Sequence, residues 1–309
     1  MEYYVAGWDG GGTKTAMQIR NLKGEVILSA HAGGLNFNSQ SKEELKQTIH
    51  TLVTHMSKLQ GGLEACKMLC VSTAGISNPE AFNFLKGTIK DTGLTCEMKF
   101  VGDHEGALYG ALGKADGMVL ISGTGSICFG KNLEGRTSRT GGWGHIIDDE
   151  GSGYAIGRDI LSAAVKSYDR RTPKSMLYDL VLEKIGGKSV EDIIQYTYNT
   201  AIGKKDIASF APLLIEAISQ EDQQGIMIGN NAAMELVKLV IPVAHELNLN
   251  EGELALTGGI LTHYKAIREK VVCQLLQKLP KLKIKEAMYD SVTGAALMAL
   301  EQVKKGSVR

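Results

Sequence analysis

Three consecutive glycines followed by Thr-Lys-Thr in "WDGGGTKT" (residues 8–15) combine the parts of a phosphate cradle. Glycine lets backbone amides approach an oxyanion closely and tolerates positive φ, while Thr13 and Lys14 add a hydroxyl and a charge. Neither common phosphate template fits. Gly7 to Gly12 has the span of a P-loop, but Thr13 stands where that motif needs lysine. Gly10 and Gly12 begin a dinucleotide fingerprint, but Thr15 occupies its third glycine. Both templates also demand a helix directly after the loop. Here "AMQIRN" alternates, with Met17 and Ile19 on one face and Gln18 and Arg20 on the other, which predicts a strand. Gly10 to Thr13 therefore form the tight turn of a β-hairpin.

The same unit recurs. "GTKTAMQIRNLKG" (12–24) is echoed by "GTGSICFGKNLEG" (123–135), and each copy follows an apolar strand, "YYVAGW" or "GMVLIS". The echo predicts a second phosphate turn at Gly123-Thr124-Gly125-Ser126. It also predicts two halves that each open with strand, turn and strand. Facing one another across a cleft, two such turns could grip one polyphosphate from both sides. Asp103 follows the strand "EMKFVG" at the start of the small-residue helix "DHEGALYGALG". A carboxylate there suits a general base taking the proton of an acceptor hydroxyl in phosphoryl transfer, and equally suits a helix N-cap.

Strand-like and helical patterns alternate along the chain, predicting an α/β protein. Ser41 and Glu44 form a capping-box pair ahead of Leu45, Ile49, Leu52, Val53, Met56 and Leu59 at helical spacing. Residues 175–250 read as mostly helical, with a Ser189/Asp192 cap-like pair and a helix kinked or ended by Pro242. "ELALTGGIL" is a strand breaking at Gly258-Gly259, and "SVTGAALMALEQVKK" a final helix. With 309 residues, two domains are expected, 1–115 and 116–290, with a helix at 291–309 packing back on the first.

Basic and acidic residues balance at 34 each, so no global field favours nucleic acid or an anionic membrane. Five irregularly spaced cysteines suit a reducing compartment better than a disulfide framework. Cys66 and Cys70 have no second pair to complete a metal site and read as core. No signal peptide is read at the N-terminus, and no window approaches the roughly 20 apolar residues of a membrane span. A cytoplasmic protein is expected.

"DGGGTKT", "GDHEGA", "LISGTGS", "GGWGHIIDDEGS" and "TGGI" occur in an order that resembles the hexokinase–actin–heat-shock chaperone ATPase superfamily. More narrowly, they resemble the N-acetylglucosamine kinases and the benzoyl-CoA-reductase-type (BadF/BadG/BcrA/BcrD) ATPases grouped with them. The zinc-binding cysteine cluster of the bacterial repressor–kinase sugar kinases is absent from the sequence. The resemblance implies two actin-like (ribonuclease H-like) domains, each a mixed sheet flanked by helices, around a central nucleotide cleft. It implies ATP and Mg²⁺ as cofactors, with Gly10, Gly11, Gly12, Thr13 and Lys14 in the first phosphate loop. Gly123, Thr124, Gly125 and Ser126 form the second, with Thr124 facing the transferring phosphate. Asp9 would help hold Mg²⁺ through water, and Asp103 becomes the base.

Gly258 and Gly259 match an adenosine-side turn, though a plain strand-to-helix turn reads almost as well. Asp149 matches a residue that hydrogen-bonds sugar hydroxyls, against the competing reading of an exposed acidic loop. Asn38 and Thr73 match positions that contact the sugar, with Asn36 as the alternative to Asn38. Gly141 and Gly142 would admit the sugar to the backbone, while Trp143 packs the loop and His145 is structural. The implied activity is ATP-dependent phosphorylation of N-acetylglucosamine at its 6-hydroxyl, with N-acetylmuramic acid a further substrate. Glucosamine kinase, and an ATPase activator coupled to electron transfer through a cysteine-held iron–sulfur cluster, are the alternatives. The expected partner is a small amino sugar, with neither nucleic acid nor membrane, and the family's habit is a homodimer.

Overall fold

The computed structural model describes residues 2–306. The chain divides into two compact units, Met1–Asp116 with Ala287–Arg309, and Gly117–Glu286. Residues 307–309, the end of the helix expected over 291–309, lie outside the described residues.

In the first unit, β1 (Tyr4–Gly10), β2 (Thr15–Asn21) and β3 (Val26–Ala32) form an antiparallel meander. Helix α1 (Lys42–Ser57) follows, with the reciprocal Ser41/Glu44 capping box that the sequence predicts. Then come β4 (Cys66–Thr73), α2 (Pro79–Asp91), β5 (Glu97–Val101) and α3 (Asp103–Leu112). The sheet order is β3-β2-β1-β4-β5, with β4 parallel to both β1 and β5. Strand alternation divides β1 between two cores. Tyr4, Ala6 and Trp8 pack with Leu45, Ile49, Leu52, Leu69 and Leu85 on one face. Val5 packs on the other with Met68, Cys70, Tyr109, Ala295 and Ala299. The C-terminal helix Ser291–Gly306 supplies the last two. It lies so close to β1 that a β-carbon on Gly7 would stand 2.1 Å from the Ala296 nitrogen. Asp9 shares the strand parity of Val5 and Gly7, which places it on the α3 side.

The second unit repeats the plan. β6 (Gly117–Ser122), β7 (Ser126–Lys131) and β8 (Thr137–Gly141) are the meander. After β8 the chain runs through α4 (Gly153–Tyr168), α5 (Leu177–Ile185), α6 (Val190–Thr197), α7 (Lys204–Ala208), α8 (Leu213–Ser219) and α9 (Gln223–Glu246). β9 (Glu253–Thr257), α10 (Gly259–His263), α11 (Lys265–Lys278) and β10 (Lys283–Glu286) complete it. The order β8-β7-β6-β9-β10 has the same sequence of antiparallel and parallel pairs as the first sheet. The repeat extends to the meander's second turn. Gly24 and Gly135 take φ of 95° and 83°, and their N–H groups donate to Asn21 and Asn132 carbonyls. This left-handed backbone is why both copies keep glycine there.

Pro242 does not end its helix. It sits inside α9, which continues to Glu246 and packs on β7, β8 and α11. Packing supplies the stability that the missing N–H withdraws. Helix α9 is also the one described helix long and apolar enough by composition to cross a membrane, contrary to the sequence expectation. Its apolar face, including Ala233, Leu236, Val240 and Val243, is buried in the core of the unit.

Candidate active site

The first glycine turn spans residues 11–14, since Gly10 pairs with Thr15 across the hairpin. Its carbonyls are braced from behind. Thr73 Oγ1 donates to the Gly10 carbonyl at 2.9 Å, the Leu35 N–H to Gly11 at 3.0 Å, and Gln40 Nε2 to Gly12 at 2.8 Å. None of Gly10, Gly11 and Gly12 has positive φ, contrary to one reason offered for them from sequence. What the site requires there is space. A β-carbon on Gly10 would meet Leu35 Cβ at 2.8 Å, and one on Gly12 would meet Ser39 Oγ at 3.2 Å. Gly11, Thr13 and Lys14 form the exposed rim of the turn.

Thr73 corrects its expected role. It is fully buried and its hydroxyl braces the turn, so it stands behind the first glycine turn and has no surface to offer a sugar. Asn38 is exposed, and its backbone N–H donates to Asn36 Oδ1 at 3.0 Å. Asn36 thereby closes a local turn, and the Asn38 amide lies against Gly75. Both asparagines thus border the "STAG" loop.

Asp103 is the first residue of α3, and the N-cap position belongs to Gly102. The Asp103 side chain is half exposed, with Oδ1 3.0 Å from the His104 N–H and 3.3 Å from His104 Nδ1. Partial burial pushes its carboxyl up, but hydrogen bonding and charge from His104 outweigh this and hold it below the ordinary aspartate value. Asp9 goes the other way. Burial, then the charges of Asp103 and Asp290, push it up to about 6. Asp290, which sequence reading missed, accepts from the Thr293 N–H at the start of the C-terminal helix. Nothing local in "MYDSVTG" marks it, because the fold alone brings that segment back to the first unit.

The second turn spans residues 123–125, one residue shorter, since Ser122 pairs with Ser126. By the same pairing Ile121 stands opposite Ile127 where Asp9 stands opposite Ala16, so this turn lacks the carboxylate of the first. The segment 149–154 wraps it. Gly153 N–H donates to the Gly123 carbonyl at 2.7 Å, and Ser126 Oγ donates to the Glu150 carbonyl at 2.7 Å. The Ser126 hydroxyl is therefore engaged in the wrap, while Thr124 is exposed.

Asp149 is 3% exposed, which overturns the reading of an open acidic loop. It accepts from the Ser126 N–H at 3.3 Å and from Lys204 Nζ at 2.6 Å, with φ of 65°. Lys204, at the start of α7, carried no signal in the sequence.

Gly141 and Gly142 have φ of 81° and 73°, and lead into Trp143. Trp143 does not pack into the loop as expected. It is 61% exposed, with the Arg139 guanidinium 3.9 Å from its ring centroid. His145 stacks edge-on against Tyr154 with centroids 4.6 Å apart. Gly258 is tightly constrained: φ is 92°, and a β-carbon would lie 2.3 Å from the Ser122 carbonyl oxygen. Gly258 thus abuts the strand that leads into the second turn, whereas a β-carbon on Gly259 would meet nothing within 4 Å.

A model of the BadF/BadG/BcrA/BcrD ATPase family matches residues 6–299. The chain belongs to this family. It is similar to the N-acetylmuramic acid/N-acetylglucosamine kinase of Clostridium acetobutylicum, 39% identical over 96% of this chain and 98% of that protein. The N-acetyl-D-glucosamine kinase of Dictyostelium discoideum is 29% identical over 96% and 98% of the two chains. Among solved structures, a candidate N-acetylglucosamine kinase from Chromobacterium violaceum superposes with a TM-score of 0.77 at 23% identity, covering 97% of this chain and 99% of that one. A ROK family glucokinase from Streptomyces griseus does so at 0.62 and 17%, over 96% and 99% of the chains. At these identities both share the fold, the actin-like α/β architecture expected from sequence.

Proposed function

We propose that this protein transfers the γ-phosphate of ATP to the 6-hydroxyl of an N-acetylated amino sugar, N-acetylglucosamine first and N-acetylmuramic acid second. The observation that carries the reading is the near full-length 39% identity to the Clostridium kinase. The site chemistry agrees with it. Asp103, held below the ordinary aspartate value by His104, is ionised at neutral pH and can accept the proton of an attacking hydroxyl. Each braced turn would offer its backbone amides to phosphate oxygens, and Thr124, exposed on the second turn, is the proposed contact of the transferring group. Asn38, Gly141 and Gly142 are proposed sugar contacts, and Gly258 and Gly259 proposed nucleoside contacts.

Mg²⁺ fits the first unit. A carboxylate raised to about 6 by burial first and then by two neighbouring carboxylates is stabilised in its charged form by a divalent cation. Among the described residues no group of three or more His, Cys, Asp or Glu side chains could hold a metal. Asp9 would therefore hold the ion with water and phosphate oxygens. Bound there, Mg²⁺ supplies charge neutralisation on the phosphates.

The alternative of an electron-transfer ATPase gains nothing from Cys128, the thiol beside the second turn. It is fully buried within β7, where burial pushes it up and keeps it a thiol. Glucosamine phosphorylation has weaker support, a 26% identity to the Vibrio cholerae glucosamine kinase over 80% of this chain. The test is a phosphoryl-transfer screen with Mg·ATP over N-acetylglucosamine, N-acetylmuramate, glucosamine and glucose. An N-acetylhexosamine should raise ATP turnover most. No acceleration by any sugar would remove the kinase reading.

A further inference from the structure

The sequence repeat hides a substitution at the second phosphate turn. "GTKT" in the first copy becomes "GTGS" in the second, so Gly125 stands where the first copy has Lys14. The second turn thereby loses its own cation. The tertiary structure returns one. A β-carbon on Gly125 would lie 3.0 Å from Lys204 Nζ and 3.0 Å from each Asp149 carboxylate oxygen. The space vacated by the missing side chain is filled by an ammonium and its carboxylate partner.

Asp149 holds this ammonium in place. Its carboxylate is buried, tied to the Ser126 N–H on one side and to Lys204 at 2.6 Å on the other. An aspartate in left-handed backbone costs energy and is retained where surrounding bonds fix it. An ammonium has three donor hydrogens, and Asp149 accepts one of them. The Lys204 side chain remains 31% exposed, lining a cavity of about 580 Å³ with His145, Tyr154 and Arg158. Tyr154 is itself joined to the turn, its N–H donating to the Thr124 carbonyl at 3.4 Å.

We propose that Lys204 is the cation of the second phosphate turn, replacing from α7 the lysine that the repeat lacks at 125, and that it binds the polyphosphate of ATP. This rests on the kinase reading only for the identity of the nucleotide. Lys204 acts on binding, and Asp149 is its positioning partner.

The decisive variants are Lys204→Gln, which keeps a donor for Asp149 without charge, and Lys204→Arg, which keeps charge. Binding of ATP and of adenosine is measured for each on the full chain, beside steady-state kinetics with N-acetylglucosamine. Lys204→Gln should weaken ATP on the order of tenfold, the size of one charge-assisted hydrogen bond, and leave adenosine unchanged. Lys204→Arg should recover most of the loss, and the sugar KM should stay near wild type in both. Equal weakening of ATP and adenosine would reduce Lys204 to a structural role. A raised sugar KM with unchanged ATP affinity would show that it serves the sugar through Asp149; either result overturns the proposal. Should the wild type phosphorylate no sugar, the kinase reading fails, while the ATP-to-adenosine comparison still decides Lys204.

Discussion

Gly294 of the C-terminal helix meets α3 so closely that a β-carbon there would lie 2.1 Å from the Gly106 carbonyl oxygen and 2.5 Å from the Gly110 nitrogen. This crossing sets where α3 stands on the sheet, and α3 begins with Asp103. Gly294→Ala forces the helices apart, and overpacking of this kind costs about 1–3 kcal/mol. The thermal midpoint should fall and kcat should fall with it, because Asp103 moves relative to Asp9. An unchanged midpoint would mean that the crossing has slack the structure does not show.

Asp103→Asn removes the proposed base without changing shape. Transfer to sugar should drop by roughly 10²- to 10⁴-fold, the usual worth of general base catalysis, while ATP affinity stays near wild type. Loss of ATP binding as well would make Asp103 a structural residue of the α3 terminus. The neighbouring histidine gives a second check. His104 lowers the Asp103 carboxyl against the upward push of partial burial. His104→Ala should therefore move the acid limb of kcat/KM to higher pH. A limb that stays put would detach His104 from the base.

Thr73→Val keeps the side-chain shape and deletes the hydroxyl that braces Gly10. A buried carbonyl losing its donor costs about 1–3 kcal/mol, so the variant should melt earlier. Its effect on kinetics should appear in the KM for ATP, since the first turn loosens. A rise confined to the KM for sugar would restore Thr73 to the role of sugar contact.

Asp149→Ala leaves the Ser126 N–H and the Lys204 ammonium without their acceptor, whereas Asp149→Asn retains an oxygen for one of them. The alanine variant should lose more stability than the asparagine variant. Because Lys204 is partly exposed, solvent takes up part of the loss, and the alanine cost should be about 1–3 kcal/mol. Differential scanning of the two variants checks the order. Equal midpoints would mean that the second turn holds its shape without Asp149.

Much of the fold was legible because it is written in local physics. Alternation in "AMQIRN", the Ser41/Glu44 cap and the glycine turns are decided within a few residues. So is the repeat, since each meander closes through the same Asn-x-x-Gly turn. Both glycine turns, and the place of Asp103 at a strand–helix junction, could be read for that reason. Of the two readings of Pro242, a kink or an end, the end is excluded because packing of α9 on the sheet outweighs a local penalty. Trp143 misled because a residue type does not say which surface its loop faces.

By itself the sequence determined the two hairpins, their glycine turns and the α/β alternation, since these depend on side-chain period and backbone freedom over short spans. Only the tertiary structure decided which distant groups stand at those turns. It buried Thr73 behind the first, raised Asp9 through burial and then through Asp103 and Asp290, and brought Lys204 to Gly125. Burial and charge depend on neighbours in space, and the chain between Gly125 and Lys204 carries no local record of that meeting.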